Sequence, residues 1–235
     1  MEVALSNSIN ETLLKLLKAR RISIDNEQLN SMIMYSGGAD SLSLAKSVLE
    51  TTNHKVVIHH VVIQNPENRD KFELDVIEAQ LEYLKKNFRD FQFIQTRFNV
   101  NLSNSTGIKD MSAVLFMAGT SCRALKKNFS IIYSGHMHET PMMDFMEASA
   151  VLNALFSNRR AKPIWIYPLK YITINQRTSK LEIYRNIGPK GLELTVSCRR
   201  PTLEGKKFVS CLTCRACKVR HNTVKTLGWD ETLAK

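Results

Sequence analysis

No stretch of this sequence is both apolar and long enough to cross a membrane; the longest candidate, Val56 to Ile63, is interrupted by His59 and His60. The first residues, MEVALSNSINE, lack the basic start and apolar centre of a secretory signal. These absences predict a soluble, cytoplasmic protein with no membrane partner. Internal repeats, low-complexity tracts and a clear linker are also missing. From 235 residues, one compact domain with small additions is therefore expected. Acidic residues are scarce at one end. Residues 1–158 hold 16 Lys and Arg against 17 Asp and Glu, whereas residues 159–235 hold 17 against 5, so the whole excess of +11 sits in the last third. Such a segment is either a solvated basic surface or a face offered to an anion: nucleotide phosphates, a carboxylate substrate or nucleic acid.

What is present alternates between strand and helix patterns. Ser8-Ile-Asn-Glu11 has capping-box spacing ahead of Leu13, Leu14, Leu16 and Leu17, which predicts a helix to about Arg20 within an N-terminal extension, residues 1–30. Met32 to Tyr35 predicts a buried strand, and Leu44, Ala45, Val48 and Leu49 the face of the helix after it. Lys55 to Ile63 reads as a buried strand and Phe91 to Phe98 as a third; Leu74, Ile77, Leu81, Leu84 and Phe88 mark a helix between them. A polar stretch, residues 99–110, leads to a helix through about Asn128, a strand over Ser130 to Ser134, and a helix over residues 144–157. "KPIWIYPLK" reads as an extended connection, and a helix from Thr178 is predicted to stop at Gly188 and Pro189. Leu192 to Ser197 predicts a late strand. The alternation predicts an α/β fold with a doubly wound parallel sheet and helices on both faces.

The first strand runs into Ser36-Gly37-Gly38-Ala39-Asp40-Ser41. Glycines let a backbone approach phosphate closely, and free N–H groups at the helix start favour an anion. Ser36 and Ser41 add hydroxyls. Asp40 beside a phosphate implies either Mg²⁺ or a capping duty. The Gly-Lys-Ser/Thr ending used for γ-phosphate transfer is absent, and so is the third glycine of a dinucleotide fingerprint.

Five cysteines are present. Cys122 sits alone in a helical pattern and reads as a buried apolar side chain. Cys198, Cys211, Cys214 and Cys217 crowd the C-terminal segment, with two successive CxxC spacings. In a cytosolic chain this reads as metal ligation, with a structural Zn²⁺ site of four cysteines expected; a redox CxxC and an iron–sulfur cluster stay open. The site is expected to pin Arg199, Arg200, Lys206, Arg215 and Arg220 near a nucleotide cleft.

S-G-G-A-D-S resembles the pyrophosphate loop of the PP-loop ATP pyrophosphatase superfamily. Together with Cys…CxxCxxC it resembles the 7-cyano-7-deazaguanine (preQ0) synthase family. "TSKLEIYRNIG", Thr178 to Gly188, is similar to that family's Lys-containing helix, and Arg220 completes a CxxCxxCxxR ending. The resemblance covers roughly residues 30–228. It implies an adenine nucleotide alpha hydrolase-like fold, with an ATP-binding part over residues 31–190 and a zinc-binding segment over residues 191–235 packed on the same domain. It implies Ser36, Gly37, Gly38, Ala39, Asp40 and Ser41 as the ATP site, with Asp40 and Lys180 in catalysis. Arg69 and Glu73 stand where the family has a basic residue and a glutamate. His136, after the fourth strand, is a candidate substrate contact; His136 and His138 with Glu139 and Asp144 also suggest a weaker metal alternative.

The implied reaction is an ATP-dependent, AMP-forming ligation of ammonia to 7-carboxy-7-deazaguanine, giving preQ0 for 7-deazaguanine modification of tRNA or DNA. The implied cofactors are ATP, Zn²⁺ and Mg²⁺, and the partners a deazapurine and ammonia. Nucleic acid along the basic last third and a homodimer are further expectations. "HHVVIQNPENRD" and "TGIKDMSAV" differ from the family's usual elements at those places. They motivate two alternatives: a PP-loop enzyme adenylating another target, such as a tRNA base, and a non-catalytic zinc-containing binding module.

Overall fold

The computed structural model describes residues 29–64, 69–99, 110–125, 129–135, 142–156, 164–166, 179–205 and 207–234. The helix expected over residues 8–20 lies outside them.

Five strands form one parallel sheet: β1 (Asn30–Met34), β2 (Lys55–Gln64), β3 (Gln92–Asn99), β4 (Phe129–Ser134) and β5 (Ile164–Ile166), in the order β3-β2-β1-β4-β5. Four helices alternate with them: α1 (Ala39–Thr51), α2 (Arg69–Asn87), α3 (Asp110–Ala124) and α4 (Met142–Leu155). The chain winds outward from β1 to β3, then returns to lay β4 on the other side of β1. That reversal leaves a crevice beyond the carboxyl ends of β1 and β4, where ligands bind in open α/β sheets.

Side-chain alternation along β1 feeds two cores. Ile33 and Tyr35 point to the side covered by α1, α2 and the later helices, joined there by Leu42, Val48, Ile58, Leu84, Ile131 and Tyr133. Met32 and Met34 point to the other side, against Leu115, Ala118, Leu152 and Phe156 of α3, α4 and the turn that ends α4. A sheet buried on both faces needs such near-continuous apolar strands, and β1, β2 and β4 have them.

Helix α1 ends where Arg89, just past α2, donates to the carbonyls of Leu49 (3.0 Å) and His54 (2.6 Å) and to Thr52 Oγ1 (3.2 Å). A cation there satisfies groups the last turn leaves open and suits the negative end of the helix dipole.

The last third differs from the sequence reading in three places. The helix from Lys180, α5 (Lys180–Glu193), does not stop at Gly188-Pro189. Gly188 takes φ 70° and ψ 174°, the chain kinks, and Pro189 opens a further turn where its missing N–H costs nothing. Leu192 to Ser197 is not a strand. Leu192 is fully buried in the last turn of α5, and the carbonyls of Leu194 and Thr195 beyond it are met by Gln80 and Arg220 rather than by a ladder. A short antiparallel hairpin, β6 (Thr202–Glu204) and β7 (Lys207–Val209), was not anticipated and turns at Gly205, φ 62°. Helix α6 (Arg215–Leu227) and a 3-10 turn (Glu231–Ala234) follow, and Val224 and Ala234 join the α1 and α2 core. Elsewhere, α3 ends at Ala124, short of the expected Asn128, and the extended connection contributes β5. Among the described residues no helix is long and apolar enough to cross a membrane.

Candidate nucleotide site and metal centre

The loop Tyr35–Gly38 leaves β1 and enters α1 at the crevice. Gly37 has φ +77°, which favours glycine, and a Cβ there would lie a tight 3.2 Å from Ile77 Cδ1 and 3.3 Å from Val76 Cγ2. Gly38 is the N-cap of α1 and provides no side-chain cap, so the first turn of α1 keeps its N–H groups free of one. Ser41 Oγ donates to the Gly38 carbonyl at 2.9 Å and lies 3.3 Å from Ser36 Oγ, which braces the turn from within. Gly135, at the exit of β4, faces the same turn. A Cβ on it would stand 3.1 Å from the Asp40 carbonyl oxygen and 3.2 Å from Ser41 N.

Helix α5 delivers Lys180 to this point. Its N-terminus is closed by a capping box: Glu182 N–H donates to Ser179 Oγ (3.3 Å), and Ser179 N–H to Glu182 Oε2 (2.7 Å). One face docks on α1 through Asn186, whose Nδ2 donates to Ser43 Oγ (2.7 Å) and Ser47 Oγ (3.1 Å). Lys180 Nζ then meets Asp40 Oδ1 at 2.5 Å, both side chains about one-fifth exposed, at 22% and 23%. Two residues 140 positions apart in sequence are thus paired between the starts of two helices. Two positive helix ends and an ammonium gather around the loop, with one carboxylate among them.

Behind the loop, α2 lies close. Glu73 is half-buried on the face of α2 toward the loop, its carbonyl 3.7 Å from the place of a Gly37 Cβ. Arg69 begins α2, but its side chain is outside the described residues, as are His136, His138 and Glu139 entirely and the side chain of Asp144. His59 and His60, neighbours in β2, point to opposite faces of the sheet, and both are core residues with no exposure. His59 Nε2 bonds Thr96 Oγ1 at 2.7 Å, and His60 Nδ1 bonds the Tyr35 carbonyl at 2.8 Å. Burial holds His59 down to about 4, with His60 adding to the effect.

Cys198, Cys211, Cys214 and Cys217 converge, with all four sulfurs within 4.8 Å of one another and Cys214 Sγ 3.5 Å from Cys217 Sγ. A tetrahedral ion with Zn–S near 2.3 Å would set sulfurs about 3.7 Å apart, so the cluster is the right size. Backbone N–H groups already aim at the sulfurs: Arg200 and Cys211 to Cys198 (3.3 and 3.2 Å), and Cys214 to Cys211 (3.3 Å). Thr213 and backbone donors pull Cys211 down to about 6, whereas burial, then the neighbouring sulfurs, push Cys217 up. Four such thiols can ionise together only around a cation, so the donor set fits a soft, tetrahedral metal.

Of the five basic residues expected at the cleft mouth, Arg199, Arg200 and Arg215 are exposed, and Lys206 is outside the described residues. Arg220 contradicts the expectation. It is buried, with its guanidinium donating to the carbonyls of Leu192 (2.8 Å), Thr195 (2.9 Å) and Leu233 (2.7 Å) and to Thr195 Oγ1 (2.9 Å). The charge of Arg220 satisfies the end of α5 and ties the C-terminus inward. Gln80 escaped the sequence reading. Its signal was a polar residue at the buried register between Ile77 and Leu84 of α2, and it is fully buried.

No family model and no curated protein matches the sequence. Among solved structures, the chain is similar to the U34-tRNA thiolase NcsA from Methanococcus maripaludis with its [4Fe-4S] cluster. The TM-score is 0.47, with 17% identity, covering 94% of this chain and 73% of that one. It is also similar to a predicted subunit of tRNA methyltransferase from Methanocaldococcus jannaschii, with TM-score 0.36 and 14% identity, covering 87% of this chain and 91% of that one. At this degree of overlap, the functional reading stands on the chain's own residues.

Proposed function

We propose that this chain is an ATP-dependent, AMP-forming ligase that converts 7-carboxy-7-deazaguanine and ammonia to preQ0. The observation that carries the reading is the Asp40–Lys180 pair, held between two helix N-termini beside a glycine turn with no phosphoryl-transfer lysine. A substrate carboxylate oxygen attacks the α-phosphorus of ATP, and pyrophosphate leaves. Ammonia then displaces AMP to give the amide. The amide oxygen then attacks the α-phosphorus of a second ATP, releasing pyrophosphate and one N–H proton, and loss of AMP and the other N–H proton leaves the nitrile. Ser36 to Ser41 hold the departing pyrophosphate, Lys180 neutralises charge growing at the α-phosphate, and Asp40 holds Mg²⁺ against the phosphates. Residues 31–190 supply ATP binding, and residues 191–235 hold a structural Zn²⁺ on Cys198, Cys211, Cys214 and Cys217. Arg69, Glu73 and His136 are the proposed deazapurine contacts.

The test is incubation with ATP, ammonium and 7-carboxy-7-deazaguanine, with mass detection of AMP, pyrophosphate, amide and nitrile. Absence of AMP formation with that substrate rules the reaction out.

The exposed Arg185, Lys190, Arg199, Arg200, Lys218 and Lys225 of the last third favour a second reading, in which the same adenylation acts on a tRNA base. Salt-sensitive tRNA binding by the free protein supports it, and no binding at low salt counts against it. ATP binding unchanged by Asp40→Ala would instead favour a non-catalytic binding module.

A further inference from the structure

One face of α2 touches both the phosphate loop and the cysteine cluster. Phe72 packs against Cys198 and Cys217. One turn on, Val76 and Ile77 back Gly37, and after another turn stands Gln80. The Gln80 amide is fully used: Nε2 donates to the carbonyls of Gly37 (2.8 Å) and Leu194 (2.5 Å), and Oε1 accepts from Tyr35 Oη–H (2.5 Å). The two carbonyls, which only accept, fix which end of the amide faces the loop, and Tyr35 closes the other end. The Gly37 carbonyl takes a second hydrogen bond from Val196 N–H at 3.3 Å, two residues before Cys198.

The peptide plane turns this into a statement about the ligand side. A trans peptide is rigid, with its carbonyl and the next N–H pointing in opposite directions. Holding the Gly37 carbonyl toward Gln80 and Val196 therefore holds Gly38 N–H away from α2, on the exposed side of the loop where Ser36 Oγ lies 3.5 Å from it. Glycine has the freedom to rotate this plane, so the donors on the carbonyl, not the residue's own preference, keep it in place.

We propose that Gln80 is a positioning residue that locks the phosphate loop to the metal-binding segment, so that the loop keeps its anion-binding shape while the four cysteines hold their ion. The proposal rests on the reading of Ser36 to Ser41 as the pyrophosphate loop. Loss of the ion frees Cys198, and with it the Val196 and Leu194 groups that share Gly37 and Gln80. Gln80 alone then holds Gly37.

The test uses the full chain, as purified and after chelation, with Gln80→Met and Tyr35→Phe variants. Amide hydrogen exchange over residues 36–42, ATP affinity by calorimetry, metal content and melting temperature are measured together. Gln80→Met is expected to weaken ATP binding about tenfold and to raise exchange in the loop, with metal content unchanged. Tyr35→Phe moves both readouts in the same direction by less, and it carries the test if Gln80→Met does not fold. Chelation of the wild-type chain raises loop exchange, and chelation of Gln80→Met, which removes both donors to the Gly37 carbonyl, raises it further. Loop exchange indifferent to chelation overturns the proposal. So does ATP affinity within about twofold of wild type in a folded Gln80→Met. A wild-type chain that binds no ATP overturns the proposed function instead, and the exchange measurements still decide whether the tether exists.

Discussion

At the residue scale, Asp40 and Lys180 are paired in a way that separates binding from chemistry. Lys180 stands opposite a carboxylate, so under the proposed function an incoming phosphate would compete with Asp40 for the ammonium. Lys180→Ala is expected to lower pyrophosphate release about 100-fold or more, the cost typical of removing one charge-stabilising donor, with a smaller change in KM for ATP. Arginine at that position keeps the charge but changes its shape, so Lys180→Arg should recover activity only in part. Steady-state pyrophosphate assays decide both. Arg220 has a different kind of importance. Arg220→Leu removes the guanidinium from the carbonyls of Thr195 and Leu233, while Leu192 keeps its bonds from Thr195, and should cost about 3 kcal/mol in urea unfolding. An unchanged midpoint would mean those carbonyls find water.

At the element scale, the parallel sheet was legible because β1, β2 and β4 are short apolar runs and α2 carries a clear helical period. The glycine turn was legible for the same local reason. What escaped depended on distant groups. Leu192 to Ser197 has a strand-like composition, but Gln80 and Arg220 satisfy its carbonyls, and no local pattern announces a partner so far off in sequence. Arg220 matched a motif, yet its burial follows from where α5 ends. Gly188 and Pro189 are ordinary stop signals, overridden because Leu192 beyond them is needed in the core. Gly188 has open space where a Cβ would be, so Gly188→Ala meets no clash. Its dihedrals alone should cost about 1–3 kcal/mol in chemical unfolding. No loss at all would show that the kink relaxes freely.

At the scale of the whole molecule, buried histidines give stability a pH dependence. His54 and His59 are both held down to about 4, in each case by burial first, then by Arg89 for His54 and by His60 for His59. The unfolded chain binds these protons near pH 6.5 and the folded chain does not, so stability is greatest above about 6.5 and falls as pH drops toward 4. A full shift of that size is about 3 kcal/mol for one histidine. Urea midpoints from about pH 7.5 down to about 4.5 should decline, and the slope should shrink in His59→Asn. A flat profile would sink the account. Arg89 is partly buried, and its place at the far end of α1 sets it apart from the proposed phosphate loop. The helix is about 20 Å long, more than twice the screening length of about 8 Å in physiological salt. The guanidinium therefore adds almost nothing to the field felt by a phosphate at Gly38, although it anchors the strut that presents Gly38. Arg89→Leu should make the end of α1 fray and lower the melting temperature while KM for ATP stays put. The positive charge of this molecule thus divides into cations at the proposed phosphate loop, such as Lys180, and cations such as Arg89 and Arg220 that hold the frame.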